Sequence, residues 1–331
     1  MRSNSGGIAR LAKEIETDLA NRKTSLFKSH IEGLADLVAT VLSCRNVNTS
    51  EWISVLPREN CDDDSKERYI RRMLANHRIV PNEVMKGYVP QLFEEFSTNG
   101  QTAILMMDQS HISPGFECLM ISYRLGERAV PINWKVVQTE GAIGFEVQKA
   151  LLEETLPLIP NDVNVLLAAD RFYGTAALIE WCQEKKWAYR IRLKSNLNLL
   201  HEGGEITTGE LAKAGMTEIK DARFGKSITH IGIIQEKGYP EPWIIAMDCE
   251  PSKYRTLDYG LRWGIEAMFS DFKSRGFSIT TTKLTYADRI ERLILILAIA
   301  LYWAVSAGMK PNKKMSKSKK KDDAHQPRYS K

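Results

Sequence analysis

The segment "TAILMMDQ", residues 102–109, is where the chain changes its period. Five apolar residues in unbroken succession, ending at Asp108, read as a strand buried on both faces. Upstream, to about residue 98, the spacing is helical: "ARLAKEIETDLANRK", "HIEGLADLVATVLSC", "TSEWISVL" and "DDSKERYIRRMLANH" follow one another, and Pro81 opens a further helix. Downstream, "FECLMISYRLGERAVPINWKVV" (116–137) predicts two strands about a tight "LGER" turn. "GAIGFEVQKALLEETLPLI" predicts a helix, and "DVNVLLAADRFYG" (162–174) another buried strand, ending in Asp170. A helix over "TAALIEWCQEKK" and a strand over "WAYRIRL" complete the series.

Three strands in a meander, then helix, strand, helix, strand, is the order of a ribonuclease H-like fold: an α/β mixed sheet flanked by helices. The expected organisation is an all-helical domain over 1–98 and a core over 99–193 that resumes at 251–308. Residues 194–250 are expected to form an inserted β subdomain. They are rich in Gly and in short strand-like runs such as "HIGIIQEK" and "WIIAMD", and a structureless loop of that length would be unusual. Residues 309–331 read as a basic, disordered tail.

Composition is that of an ordinary globular protein, 43% hydrophobic and 26% charged, and 331 residues suffice for about two domains. The net charge of +5 is unevenly spread. From Met309 onward nine Lys or Arg face Asp322 and Asp323, which leaves −2 on residues 1–308. Any basic surface on the body is therefore local. The cysteines (Cys44, Cys61, Cys118, Cys182, Cys249) are odd in number and lack a C-x-x-C pair, which points to reduced thiols in a cytosolic protein and away from zinc. "MRSNSGGIARLAKEIETDL" turns acidic where a signal peptide needs an apolar run. "LILILAIALYWAVSA" (293–307) is short for a membrane span, and Arg289, Glu291 and Arg292 stand just before it; a core helix is expected, with no membrane partner.

In "SKERYIRRMLAN" (65–76), Ile70, Met73 and Leu74 share one face, while Lys66, Arg68, Arg71 and Arg72 line the rest. A short helix, a turn at "LPRENCDDD" and this basic helix resemble a helix-turn-helix DNA reader. A solvated basic face on a bundle helix is the plainer reading.

Asp108 and Asp170 each stand where an apolar strand is expected to end. A carboxylate there must be hydrogen-bonded, paired or metal-bound. Taken singly, each is an ordinary turn or cap residue, and Asp248 in "WIIAMDCE" competes on equal terms. "YGLRWGIEAMFSDFK" (259–273) supplies a third acid. On a helix, Tyr259, Arg262, Glu266 and Lys273 fall within roughly 60° of arc, beside an apolar stripe of Leu261, Ile265, Met268 and Phe272. In this topology a first strand, a fourth strand and a late helix converge at one sheet edge, which would gather Asp108, Asp170 and Glu266. Oxygen-only ligands fit Mg²⁺ or Mn²⁺. Two such ions about 3.5–4 Å apart would activate a water or a 3′-hydroxyl and stabilise the leaving oxygen of an in-line phosphodiester displacement. His111 and the other histidines show no ligand spacing, and "GGE" at 203–205 is a hairpin turn, not a phosphate loop.

The pattern Y-(2)-R-(3)-E-(6)-K, matched without a gap by Tyr259, Arg262, Glu266 and Lys273, resembles the signature of one branch of the DDE transposases encoded by bacterial insertion sequences, the insertion-sequence-four family. "AADRFYG" around Asp170, "MMDQS" around Asp108 and the β insertion agree with it. The resemblance covers about 101–308. It implies a cut-and-paste transposase in which Asp108, Asp170 and Glu266 are catalytic and hold two Mg²⁺ ions, with Mn²⁺ able to substitute. It also implies Tyr259, Arg262 and Lys273 on DNA phosphates near the cleaved end, which position the strand without reading sequence. Trp263 and Trp243 resemble tryptophans set against a DNA end, Trp243 stacking on a flipped base when a hairpin forms; core packing is the more frequent role of a tryptophan. The helical segment, with Arg68, Arg71 and Arg72, would bind the terminal inverted repeats. The implied partners are double-stranded transposon-end and target DNA and a second copy in a synaptic homodimer, in the bacterial cytoplasm at the nucleoid. Two rivals remain: a ribonuclease H-like nuclease or resolvase without strand transfer, and a domesticated DNA-binding protein without catalysis.

Overall fold

The computed structural model describes residues 5–22, 24–97, 102–235 and 240–309. The expected basic tail lies, beyond Met309, outside the described residues. Six helices precede the sheet: α1 (Ser5–Asn21), α2 (Lys28–Cys44), α3 (Thr49–Val55), α4 (Asp63–Ala75), α5 (Pro81–Met85) and α6 (Val89–Ser97). The start of α4 is fixed by Asp62, whose side chain accepts from the Ser65 N–H at 2.6 Å, with Asp63 and Asp64 in the first turn. Ile70, Met73 and Leu74 turn inward, and Arg68, Arg71 and Arg72 are exposed.

The sheet begins with the meander β1 (Ala103–Ser113), β2 (Phe116–Leu125) and β3 (Arg128–Gln138). After α7 (Phe145–Thr155), strand β4 (Val165–Ala169) pairs parallel with β1; after α8 (Ala176–Glu184), β5 (Ala188–Arg192) pairs parallel with β4. These five strands lie in the order β3-β2-β1-β4-β5, the ribonuclease H-like arrangement. The strands of the 194–250 region are β6 (Asn198–His201), β7 (Gly204–Thr207), β8 (Glu218–Phe224), β9 (Ser227–Ile234) and β10 (Trp243–Met247), with α9 (Thr208–Lys213) between β7 and β8. They extend the same sheet: β10 pairs antiparallel with β5, and the order runs on as β10-β9-β8-β6-β7.

The chain then returns through α10 (Lys253–Leu257), a 3₁₀ turn over Asp258–Arg262, α11 (Trp263–Phe272) and α12 (Ala287–Met309). By length and composition α12 is apolar enough to cross a membrane. In this fold Leu293 to Ala300 are each at most 2% exposed. The helix lies between the N-terminal helices and β3: the Arg292 Nε–H donates to the Leu74 carbonyl, and the Trp134 indole N–H donates to the Glu291 carbonyl at 3.1 Å. All five cysteines are free thiols.

Two local expectations are corrected. β1 does not stop at Asp108; pairing with β2 carries it on to Ser113, although its ladder with β4 ends at Met107. Nor do residues 259–273 form one continuous α-helix. The first part is 3₁₀, with three residues per turn, so Tyr259 and Arg262 line up directly along the turn instead of drifting round an α-helical arc. Both are buried, at 2% and 5% exposure.

Candidate active site

The last register pair of the parallel β1–β4 ladder is Met107 with Ala169. Asp108 and Asp170 are the next residue of each strand. Two carboxylates thus leave adjacent parallel strands at the same level, at the carboxyl end of the sheet, the usual place for a ligand crevice. The Asp108 Oδ1 accepts from the Gln109 N–H at 2.9 Å, and the Asp170 Oδ1 from the Arg171 N–H at 2.6 Å. A tight turn follows Asp170, the Tyr173 N–H donating to its carbonyl at 2.9 Å. Gly174 lets this turn lie against β5, since a Cβ there would come within 2.4 Å of the Arg192 carbonyl oxygen.

The third acid arrives on α11. Gly264 lets that helix approach the β2–β3 hairpin, where a Cβ would meet the Arg128 carbonyl oxygen at 3.2 Å. Glu266, one turn into the helix, is half-exposed by side chain, at 54%. Between the acids lies Arg262. Its Nη1 donates to Asp108 Oδ2 at 2.9 Å, its Nη2 donates to Glu266 Oε1, and its Nε–H donates to the Tyr259 hydroxyl at 3.2 Å. The Tyr259 hydroxyl in turn donates to Asp170 Oδ1 at 3.1 Å. One buried guanidinium, directly or through one phenol, thus ties together all three carboxylates.

The electrostatics follow first from burial and then from these charged contacts. Burial pushes the Asp108 carboxyl up to about 6; Arg262 and the Gln109 N–H pull it back, while Asp170 and Glu266 add to the rise. Burial opposes the charge on Arg262, but Tyr259, Asp108, Asp170 and Glu266 outweigh it and hold the guanidinium firmly protonated. Burial also raises the Tyr259 phenol to about 12, against the pull of Arg262. Tyr173 lies within reach of the same charges, its phenol raised chiefly by burial and further by Asp108 and Asp170. Its hydroxyl is buried and has no hydrogen-bond partner among the described residues.

A divalent cation suits this chemistry. The donors are carboxylate oxygens, a cation already bridges them in the form of Arg262, and the Tyr173 hydroxyl is an unused polar group beside them. With Arg262 in that position, however, no group of three or more His, Cys, Asp or Glu among the described residues is arranged to hold a metal ion.

A cavity of about 470 Å³ opens beside the cluster, lined by Asp170, Glu266, Arg262, Arg171, Arg192 and Trp263 among others. On its rim Arg171 pairs with Glu241 at 2.6 Å. Trp263 is 42% exposed. Trp243 also lines the cavity but is only 2% exposed, packed edge-on against Tyr259 and Trp263 with ring centroids 5.2 and 5.5 Å apart. Lys273 does not join the cluster. It is the C-cap of α11, about 10 Å along the axis from Glu266, and does not line the cavity. Asp248 stands apart, its Oδ1 accepting from the Tyr189 N–H at 3.0 Å and from Arg190 at 2.8 Å. On α4, Arg71 pairs with Glu67 at 2.6 Å and Arg68 donates to the Ser65 hydroxyl at 3.2 Å. Sequence reasoning passed over Tyr173, Arg171 and Arg192. The first two lie in "DRFYG", immediately after Asp170, and only the turn that folds this segment against β5 reveals their place.

Residues 144–303 match the family described as transposase DDE domain. The match spans Asp170, Arg262 and Glu266 and begins after Asp108. It supports a DDE transposase. Among solved structures, a piggyBac transposase synaptic complex with hairpin DNA is 14% identical, with a TM-score of 0.48, covering 92% of this chain and 74% of that one. An Argonaute of Marinitoga piezophila, in complex with guide RNA and target DNA, is 11% identical, with a TM-score of 0.25, covering 74% and 37%. At those scores neither bears on the assignment. No curated protein matches the chain.

Proposed function

We propose that this protein is a cut-and-paste transposase of the insertion-sequence-four type, which cleaves DNA at the ends of its element and joins the freed ends to target DNA. The observation that carries this reading is the convergence of Asp108, Asp170 and Glu266 on one buried cation at the carboxyl end of a ribonuclease H-like sheet. Asp108, Asp170 and Glu266 would hold the divalent metal, two Mg²⁺ or Mn²⁺ ions. When bound, these supply Lewis acidity and an activated water or 3′-hydroxyl for phosphodiester displacement. Tyr259 orients Asp170 by its hydroxyl. Arg171 and Arg192 draw the DNA backbone into the cavity, and Trp263, the exposed indole there, lies against the DNA end. Lys273, farther along α11, meets a phosphate away from the cut.

The helical segment 1–98 reads the terminal repeats, with Arg68, Arg71 and Arg72 on phosphates. Pro240, Glu241 and Trp243, leading into β10, wall one side of the DNA-end cavity, and two copies act together on paired ends at the bacterial nucleoid. The test is cleavage of a plasmid carrying the inverted repeats that flank this reading frame. Wild type nicks it only with Mg²⁺ or Mn²⁺, whereas Asp108→Ala, Asp170→Ala and Glu266→Ala bind the repeats without cutting. Full cleavage by all three variants contradicts the assignment, and failure to join a pre-cut end to target would leave a nuclease.

A further inference from the structure

Arg262 stands where the metal of the proposed function would stand. Its guanidinium is 6% exposed by side chain and satisfied by two carboxylates and a phenol. Such a group does not leave for water alone, because it would leave the largely buried Asp108 carboxylate without its counter-charge. A phosphate is different. The planar fork that fits a carboxylate fits a phosphate equally well, and the adjoining cavity gives one a way in, past Arg171 and Arg192. The Tyr173 hydroxyl, within electrostatic reach of Asp108 and Asp170, is buried without a hydrogen-bond partner among the described residues.

We infer that Arg262 and divalent metal compete for the same carboxylates, and that a DNA-end phosphate draws Arg262 away, so that the metal site opens only on the DNA-bound protein. This rests on the proposed function, since it takes Asp108, Asp170 and Glu266 as the ligands. The consequence is an enforced order: DNA binds first, and free protein cannot carry activated metal to unrelated DNA. Linkage makes the coupling reciprocal, so Mn²⁺ tightens end-DNA binding by the factor by which DNA tightens Mn²⁺ binding.

The test is Mn²⁺ binding by the full chain, followed by calorimetry and by the electron paramagnetic resonance of free Mn²⁺. It is run with and without a duplex carrying the flanking inverted repeat, and Mn²⁺ held by the duplex alone is subtracted. Wild type is expected to bind Mn²⁺ about tenfold or more tightly with DNA than without it. Arg262→Gln is expected to reach that tighter affinity without DNA and to gain little from its addition. Equal Mn²⁺ affinity of wild type with and without DNA overturns the inference, and that comparison decides even if Arg262→Gln does not fold. Arg262→Gln that folds yet binds Mn²⁺ no better than free wild type also overturns it. The two readings fail differently. If Mn²⁺ binding with DNA survives in both Asp170→Asn and Glu266→Gln, the ligand assignment falls and the inference with it. If those variants lose Mn²⁺ but wild type is indifferent to DNA, only the inference falls.

Discussion

Two buried arginines in this molecule face acids at the ends of buried strands, and they do opposite things. Arg190 and Arg262 are each 6% exposed by side chain. Arg190 meets Asp248 at 2.8 Å, donates to the Tyr189 and Arg255 carbonyls, and has Asp258 farther off at 3.8 Å. Cation and acid are matched there, and the remaining donors go to backbone carbonyls and to the Cys249 sulfur at 3.3 Å, as in a structural ion pair. Arg262 faces Asp108, Glu266 and, through Tyr259, Asp170. One positive charge among three carboxylates leaves a surplus that the fold keeps in place. The lesson is that an acid at a strand end says little; the balance of charge around its partner says what it is for.

The sharpest way to break this contrast is to exchange the two acids' fates. Asp170→Ala should lower Mg²⁺-dependent end cleavage by on the order of 10³-fold or more with the fold intact. Asp248→Ala should leave cleavage within a few-fold but cost about 2–3 kcal/mol in chemical denaturation, because Arg190 is left buried without its acid. Loss of cleavage only in the Asp248 variant would move the metal site. Protonation probes the same contrast next. The folded Asp108 carboxyl, at about 6, lies above its unfolded value. Its contribution to stability is therefore full below about pH 4 and is lost as pH rises through about 6. In metal-free protein the stability difference between wild type and Asp108→Asn should shift in the variant's favour by about 2–3 kcal/mol from pH 4 to pH 7. A pH-independent difference would mean that burial does not hold the Asp108 carboxyl above its ordinary range.

The exposed cations of α4 give smaller effects. Replacing Arg68, Arg71 and Arg72 together by Ala should lower the salt slope of end-DNA binding by about 2–3 without changing cleavage of pre-bound ends. An unchanged slope would leave them as a solvated face. Arg71→Ala alone should change stability by less than about 0.5 kcal/mol, since its pair with Glu67 is on the surface.

Much of this was legible in the residues. The switch from helical to strand spacing at 101, the order of strands and helices through "WAYRIRL", and the candidate acids Asp108, Asp170 and Glu266 follow from periodicity, burial cost and the Y-R-E-K pattern. Three things were not. An apolar run does not tell where a ladder with one neighbour stops and another continues, so β1 outruns Asp108. Residue spacing cannot distinguish a 3₁₀ turn from the first turn of an α-helix, and that difference turns Tyr259 and Arg262 inward. Nor does sequence reveal how a cation is shared. Arg262 is read from the pattern as a phosphate contact, and in the DNA-free chain its side chain lies among the acids, on Asp108 and Glu266.

The most direct test is a crystal of the protein with Mn²⁺ and its end duplex, examined by anomalous diffraction at the manganese edge. Manganese peaks are expected among the oxygens of Asp108, Asp170 and Glu266, with Arg262 turned onto a DNA phosphate. Manganese elsewhere, for instance at Asp248, with Arg262 still bridging the three acids, would contradict it.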